Sequence, residues 1–495
     1  MPGVPRSRGC QTCKDRKVKC DETWPTCTRC AVINSPCPGP TSLVKFVSKT
    51  HHGARANTGG QPLTGQPRQV TFRNSHLPIR FHSLNQSDYE NPRPNPTTRY
   101  DRIALKLISN LERGPDGITT LRMSYLPELP QRLSESKCLR DSVDLFCSAL
   151  IDFRSHKPEG ELHVMVQYGK ALRSLRMALV GKDALKPETI AAMALIERME
   201  GLFKRGSPSN VHTKGILQVL KAKGPPKLKD HLDVAVANEL YGVLLNDWSL
   251  RESCSFFKAP GWQEALDQGI EQFMSEVDMG PFSKQDTVEF VECSRKLHGF
   301  ILEFHRISNQ SYTTEIKQAI ESLCQKVSKV EVAVTRIATA SKDSALKQGA
   351  IVEKPDLESP VGMKFEFRSP FMAMVYLGTV SVQIVLLRIL YESSVIVGSS
   401  DAEEIDQRLR EACRESWKAV PFFRSLESIV AENLMAPLYV SYEAANELEE
   451  EYLLDAVQYM DRYLNRFPRD RSQLRQMMVH VAKLMTGRAS QPSLE

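Results

Sequence analysis

Six cysteines between residues 10 and 37 fall into two matched triplets, Cys10-x2-Cys13-x6-Cys20 and Cys27-x2-Cys30-x6-Cys37, the second repeating the first 17 residues later. Two thiolates at C-x-x-C spacing can share one metal ion, and a third cysteine after a short helix can add another sulfur. Each triplet therefore offers three ligands, whereas zinc in a closed structural site takes four. Two Zn²⁺ ions have eight coordination positions for six sulfurs, and the arithmetic closes if two cysteines each bridge both metals. Pseudo-symmetry suggests the first member of each triplet, Cys10 and Cys27, as the bridges. One zinc would then take Cys10, Cys13, Cys20 and Cys27, and the other Cys10, Cys27, Cys30 and Cys37. A segment this short has almost no apolar core. Metal binding must supply its folding free energy, about 10–16 kcal/mol per structural zinc in small peptides.

Charge is distributed as unevenly as the sulfur. Six thiolates against two Zn²⁺ leave a local charge of −2, which Lys14, Arg16, Lys17 and Lys19 in the first loop overcompensate, while the second loop, Ala31–Pro36, has no basic residue. A purely structural cluster has no need to load one half with cations; a cluster docked through one half on phosphates and base edges does. The chain as a whole carries +6, but residues 1–100 hold 15 Lys and Arg against 5 Asp and Glu, so the basic excess is all N-terminal. That is the footprint of a polyanion-binding head on a near-neutral body. A membrane-surface head would be charged in the same way, yet no basic amphipathic helix accompanies it, and Pro2 stands where myristoylation needs glycine. The absence of an apolar run after Met1 argues against secretion. Twelve cysteines without a secretory signal indicate a reducing compartment, where clustered thiols bind metal rather than pair. Phe46, Phe72, Phe81, Tyr89 and Tyr100 are spread singly and form no compact platform for stacking RNA bases.

The run Gly9-Cys10-Gln11-Thr12-Cys13-Lys14-Asp15-Arg16-Lys17-Val18-Lys19-Cys20-Asp21-Glu22, followed by Trp24-Pro25-Thr26-Cys27, resembles the fungal zinc binuclear cluster (Zn₂Cys₆) transcription factors in all six cysteines, the basic run and the intervening proline. The resemblance implies a DNA-binding transcription factor of RNA polymerase II genes, acting in the nucleus on double-stranded DNA. It implies that the helix after Cys13 enters the major groove with Arg16 and Lys17 at a CGG-like triplet, where Arg or Lys donates to the O6 and N7 acceptors of guanine. Lys14, Lys19 and Arg29 then meet phosphates. One small cluster covers too little DNA to be selective alone, so a homodimer or heterodimer is expected, with a body that contacts the transcription machinery; the resemblance implies control of a metabolic or secondary-metabolite gene cluster. A second resemblance, to a helical regulatory domain in one branch of these factors, rests on Tyr168-Gly169-Lys170-Ala171-Leu172 with Leu175, His212 with Gly215, and Lys223-Gly224-Pro225.

The elements that must carry this head follow from composition and period. We expect a mostly α fold: a cluster module at 1–40, a flexible Pro- and polar-rich linker at 41–100, a large all-helical domain at 101–489 and a disordered tail at 490–495. Val164, Tyr168, Ala171, Leu172, Leu175, Ala178 and Leu179 line one helix face, and Phe290, Cys293, Leu297, Phe300, Ile301 and Phe304 another. Further helices are expected at Ser142–Phe153, Glu188–Phe203, Leu232–Leu244, Glu315–Ala338, Ala402–Trp417 and Glu443–Phe467. Ser369–Leu387 lacks a formal charge over 19 residues, but Gly378, Thr379, Ser381 and Gln383 within it suit a buried core helix better than a membrane span.

Other candidates carry less chemistry. His298 and His305 lie two turns apart, but no carboxylate or thiol completes a metal spacing. Cys138, Cys147, Cys254, Cys293, Cys324 and Cys413 are isolated from one another and read as small buried hydrophobes. The acidic run Glu447–Glu451 reads as a solvated helix face, and Glu404/Arg408 and Asp406/Arg410 as i,i+4 surface pairs. No phosphate-cradling loop, nucleophile elbow or H-E-x-x-H motif is present, so we expect no enzyme. The competing function class is a zinc-containing co-regulator that acts through protein contacts without touching DNA.

Overall fold

The structure is a computed structural model that describes residues 10–21, 27–37, 98–111, 124–155, 162–203, 211–246, 252–277, 279–432 and 434–488. The chain divides into two units, residues 1–90 and 91–495. The expected linker lies outside the described residues up to position 97, as does the expected tail. In the first unit, helices α1 (Gln11–Asp15) and α2 (Thr28–Val32) follow Cys10 and Cys27.

The second unit is helical for a reason visible at the helix ends: polar side chains close the backbone donors there. Thr98 and Asp101 form a capping box on α3 (Arg99–Asn110), Ser136 caps α4 (Lys137–Arg154), and Ser283 and Thr313 cap α10 (Lys284–Ser308) and α11 (Thr314–Lys347). Between them run α5 (Leu162–Val180), α6 (Pro187–Phe203), α7 (Val211–Lys223), α8 (His231–Asn246) and α9 (Pro260–Glu276). After α11 come α12 (Pro370–Val397), α13 (Ala402–Trp417), α14 (Val420–Ser425), α15 (Ser428–Glu432), α16 (Ala436–Ser441), α17 (Glu447–Met460) and α18 (Arg471–Met485).

Two hydrophobic cores organise this unit. One gathers Leu107, Phe146, Leu175, Ile196, Leu240 and Trp262 from α3 to α9, together with Ile429, Val430 and Leu464 from further along the chain. The other surrounds α12 with Phe304, Leu323, Trp417, Leu438, Leu453 and Leu474. Ser369 caps α12 with Pro370 at its first turn, and Gly398 ends it in the left-handed region at φ +70°. By length and composition alone α12 could cross a membrane, but 72% of its most apolar stretch is buried inside the protein. The apolar run singled out in the sequence is thus the centre of the second core.

The body is mostly helical as expected, with one addition. Strands β1 (Ile351–Pro355) and β2 (Met363–Phe367) form an antiparallel hairpin in the register Ile351↔Phe367 to Pro355↔Met363. Alternation is real here but short: Ile351, Phe365 and Phe367 point inward, and the Phe365 amide donates to the Lys418 carbonyl at 2.7 Å. Two departures involve charge. Arg410 pairs with Asp406 at 2.9 Å, but Arg408 reaches Glu331 on α11 at 2.6 Å rather than Glu404. Within the acidic run, Glu449 is buried, closes a capping box with Asn446 and pairs with Arg414, while Glu450 and Glu451 pair with Arg475. That capping box starts α17 at Glu447 and the helix ends at Met460, so the expected helix Glu443–Phe467 is shorter at both ends.

The residues of the second resemblance work as fasteners of the first core. Tyr168 on α5 donates to the buried Glu200 carboxylate of α6, and His212 Nε2 on α7 lies 3.1 Å from the same oxygen. Lys223 meets Asp233 at 2.8 Å, both nearly buried, and Gly224 turns the chain at φ +78°.

Candidate metal centre

Cys10 and Cys27 are N-caps as well as thiols. The Cys13 amide donates to Cys10 Sγ at 3.4 Å, and the Cys30 amide donates to Cys27 Sγ at 3.4 Å. The third cysteine of each triplet folds back on the first: the Cys10 amide donates to Cys20 Sγ at 3.4 Å, and the Cys27 amide to Cys37 Sγ at 3.5 Å. The 17-residue offset of the sequence is therefore an offset of the backbone. It extends to the helix ends, where the Val18 amide donates to the Cys13 carbonyl and the Ser35 amide to the Cys30 carbonyl. These are Schellman-type closures with a left-handed residue, Lys17 at φ 55° and Asn34 at φ 54°. Glycine or asparagine is the usual occupant of such a position; the second half obeys that preference and the first half places a lysine there.

This scaffold draws the sulfurs into two quartets, Cys10/Cys13/Cys20/Cys27 and Cys10/Cys27/Cys30/Cys37, with the ligand atoms of each within 4.8 Å of one another. Cys10 and Cys27 belong to both. A tetrahedral site with Zn–S bonds of about 2.3 Å has sulfur–sulfur edges of about 3.8 Å. The separations are 3.8 Å for Cys10–Cys27, 3.7 Å for Cys10–Cys30 and 3.6 Å for Cys13–Cys27. The donor set and its spacing thus fit a binuclear zinc cluster, and Cys10, Cys13, Cys27 and Cys30 are shielded from solvent. Zinc in such a closed site supplies cohesion rather than reactivity.

Crowded sulfur resists ionisation without metal. At Cys10 the Cys13 amide favours the thiolate, yet burial and the neighbouring thiols outweigh it and push the thiol up to about 12. Burial pushes Cys13 and Cys27 up as well. The sign of the pH dependence follows. Zinc must expel those protons, so the loaded module weakens as pH falls. Zinc transfer to a chromogenic chelator should therefore increase steadily from about pH 8 to about pH 5; transfer that is flat across that range would contradict a thiolate site.

The basic residues divide by position. Arg16, Lys17 and Lys19 are exposed at and after the end of α1, Lys14 is half-buried on it, and Arg29 is exposed on α2. At the equivalent end of the second half, Val32 is 79% exposed and Ile33 44% exposed. Sequence reasoning did not single out Thr12, Asp21 or Asn34. Thr12 donates to the Pro36 carbonyl at 2.8 Å, and the Thr28 amide donates to the Asp21 carboxylate at 3.0 Å. Asn34 could have been found by adding 17 to Lys17.

The remaining candidates stay apart from metal chemistry. His305 Nδ1 faces the Gly487 carbonyl at 3.1 Å, and among the described residues no histidine joins a group with metal-binding geometry. Cys138, Cys147, Cys254, Cys293 and Cys413 are buried and Cys324 half-buried; burial pushes Cys147 and Cys413 up to about 12, away from thiolate reactivity.

Residues 8–43 match the Fungal Zn(2)-Cys(6) binuclear cluster domain. The chain is also similar to transcription factor lfc1 of Flammulina velutipes, at 36% identity over 85 residues, which is 16% of this chain and 30% of that protein. The matched stretch thus spans under a third of the curated relative's length. No solved structure matches the chain.

Proposed function

We propose that this chain, whose residues 8–43 form a zinc binuclear cluster domain of the kind that makes fungal transcription factors bind DNA, is a nuclear, sequence-specific regulator of RNA polymerase II genes that reads a CGG-like triplet in the major groove. One observation carries the reading: the end of α1 presents Arg16, Lys17 and Lys19 to solvent on one half of a module whose caps and helix-end closures repeat in both halves. Lys17 and Arg16 donate to guanine O6 and N7, while Lys14, Lys19 and Arg29 neutralise phosphates. The metal ions, held by Cys10, Cys13, Cys20, Cys27, Cys30 and Cys37, supply the folding energy that keeps this cationic edge in one geometry.

A single small module contacts about 600–1,000 Å² and is rarely selective alone, so a homodimer or heterodimer supplies a second half-site. The helical body then regulates the head or recruits transcription machinery, under the domain division 1–40, 41–100 and 101–489. The exposed Val32 and Ile33 favour a second reading in which the other half of the module touches protein. Selection of the full-length protein on randomised duplexes separates the two. Enrichment of a short GC-rich site, with affinity that falls steeply with salt and disappears with chelator, is expected. Zinc-loaded protein without selectivity at moderate salt would reject DNA reading and leave the co-regulator.

A further inference from the structure

Helix caps, helix-end closures and sulfur pairings recur in both halves of the module, and two further contacts among the described residues tie one half to the other without involving sulfur. Thr12 Oγ1 donates to the Pro36 carbonyl at 2.8 Å, joining α1 to the loop after α2. The Asp21 carboxylate accepts the amide of Thr28, the first residue of α2, at 3.0 Å, closing the connection between the halves. Under the 17-residue offset the counterpart of Thr12 is Arg29 and that of Asp21 is Pro38. Proline has no carboxylate to offer, so the Asp21 contact has no chemical counterpart at that position, and Arg29 replaces a short hydroxyl with a long charged donor. Neither Thr12 nor Asp21 belongs to a sulfur quartet, so neither contact serves to ligate zinc.

We infer that Thr12 and Asp21 are positioning residues: together they set the angle between the two halves and so aim the Lys17 edge at base edges, an inference that rests on the DNA-binding reading above. Zinc fixes the sulfurs, but shared sulfurs at Cys10 and Cys27 act as pivots about which the halves can rock. A clasp at each side of the pivot removes that freedom before DNA is met, and preorganisation of this kind appears as affinity for the specific site. Sequence-independent attraction depends on the number of cations and not on their aim, so the clasp is silent there.

The test uses the full-length, zinc-loaded protein with Asp21→Ala, Asp21→Asn and Thr12→Val. Zinc per chain, affinity for the selected site, and affinity with salt slope on a mixed-sequence duplex are measured for each. Both Asp21 variants lose the same charge, but the asparagine oxygen can still accept the Thr28 amide. We expect two zincs throughout, a loss of about tenfold on the selected site for Asp21→Ala and Thr12→Val, recovery of most of it in Asp21→Asn, and less than a twofold change on mixed DNA. A selective wild type whose Asp21→Ala and Thr12→Val variants bind the selected site unchanged overturns the inference alone. Loss of zinc, or equal losses on both duplexes, overturns it by making the contacts part of folding. A zinc-loaded wild type without selectivity overturns the DNA-binding reading itself, and this role with it.

Discussion

Cys10→Ala should strip both zinc ions from the protein, whereas Cys37→Ala should leave one. The difference follows from membership: Cys10 lies in both sulfur quartets and Cys37 in one. Without Cys10 each metal keeps three sulfurs, and the first helix also loses the cap that accepts the Cys13 amide. Without Cys37 the quartet of Cys10, Cys13, Cys20 and Cys27 stays whole. A structural zinc in a small module is worth about 10–16 kcal/mol, far beyond what a few residues with no apolar core can replace, so the Cys10 variant should also lose selective DNA binding outright. Native mass spectrometry of the two variants reads the stoichiometry directly. Equal zinc content in both would mean that the sulfurs are not shared as the quartets require.

Lys17→Asn should remove DNA recognition while sparing the fold. Lys17 occupies a left-handed position, and its counterpart at the other helix end, under the same closure, is already Asn34. Asparagine tolerates that conformation better than most residues, so the substitution takes away the ammonium at no backbone cost. A good contact to guanine is worth about 1–3 kcal/mol, so affinity for the selected site should fall roughly tenfold to a hundredfold, with relaxed preference at the contacted base. Zinc content should remain two. Unchanged affinity and preference would remove Lys17 from the reading edge; loss of zinc would show that the position serves the fold instead.

The metal centre was legible in advance because cysteine identity and spacing define it without tertiary help: a repeat of 17 residues in the sequence is a repeat of 17 residues in hydrogen bonds. Long helices were legible for the same kind of local reason. The expected Ala402–Trp417 is α13, and the expected Glu188–Phe203 differs from α6 by one residue at its start. What escaped depended on partners distant in sequence. Arg408 has a carboxylate four residues away and still pairs with Glu331, a buried carboxylate on another helix that is 1% exposed. The hairpin at 351–367 consists of five-residue strands, too short for alternation to stand out, and is held by packing of Phe365 and by the Lys418 carbonyl. The left-handed Lys17 carries no warning in its own identity, since lysine is not a turn residue; only the repeat reveals it. The Asp21 contact was hidden because an aspartate beside a cysteine looks like any surface charge until α2 is in place to receive it.

X-ray absorption at the zinc edge on the full-length protein tests most directly whether six sulfurs hold two metals. Four sulfurs per zinc at about 2.3 Å, no nitrogen or oxygen neighbour, and a second zinc as a near scatterer are the expected spectrum. A mixed sulfur and nitrogen or oxygen shell, or isolated zinc with no metal neighbour, would contradict the shared-thiolate centre on which the recognition edge depends.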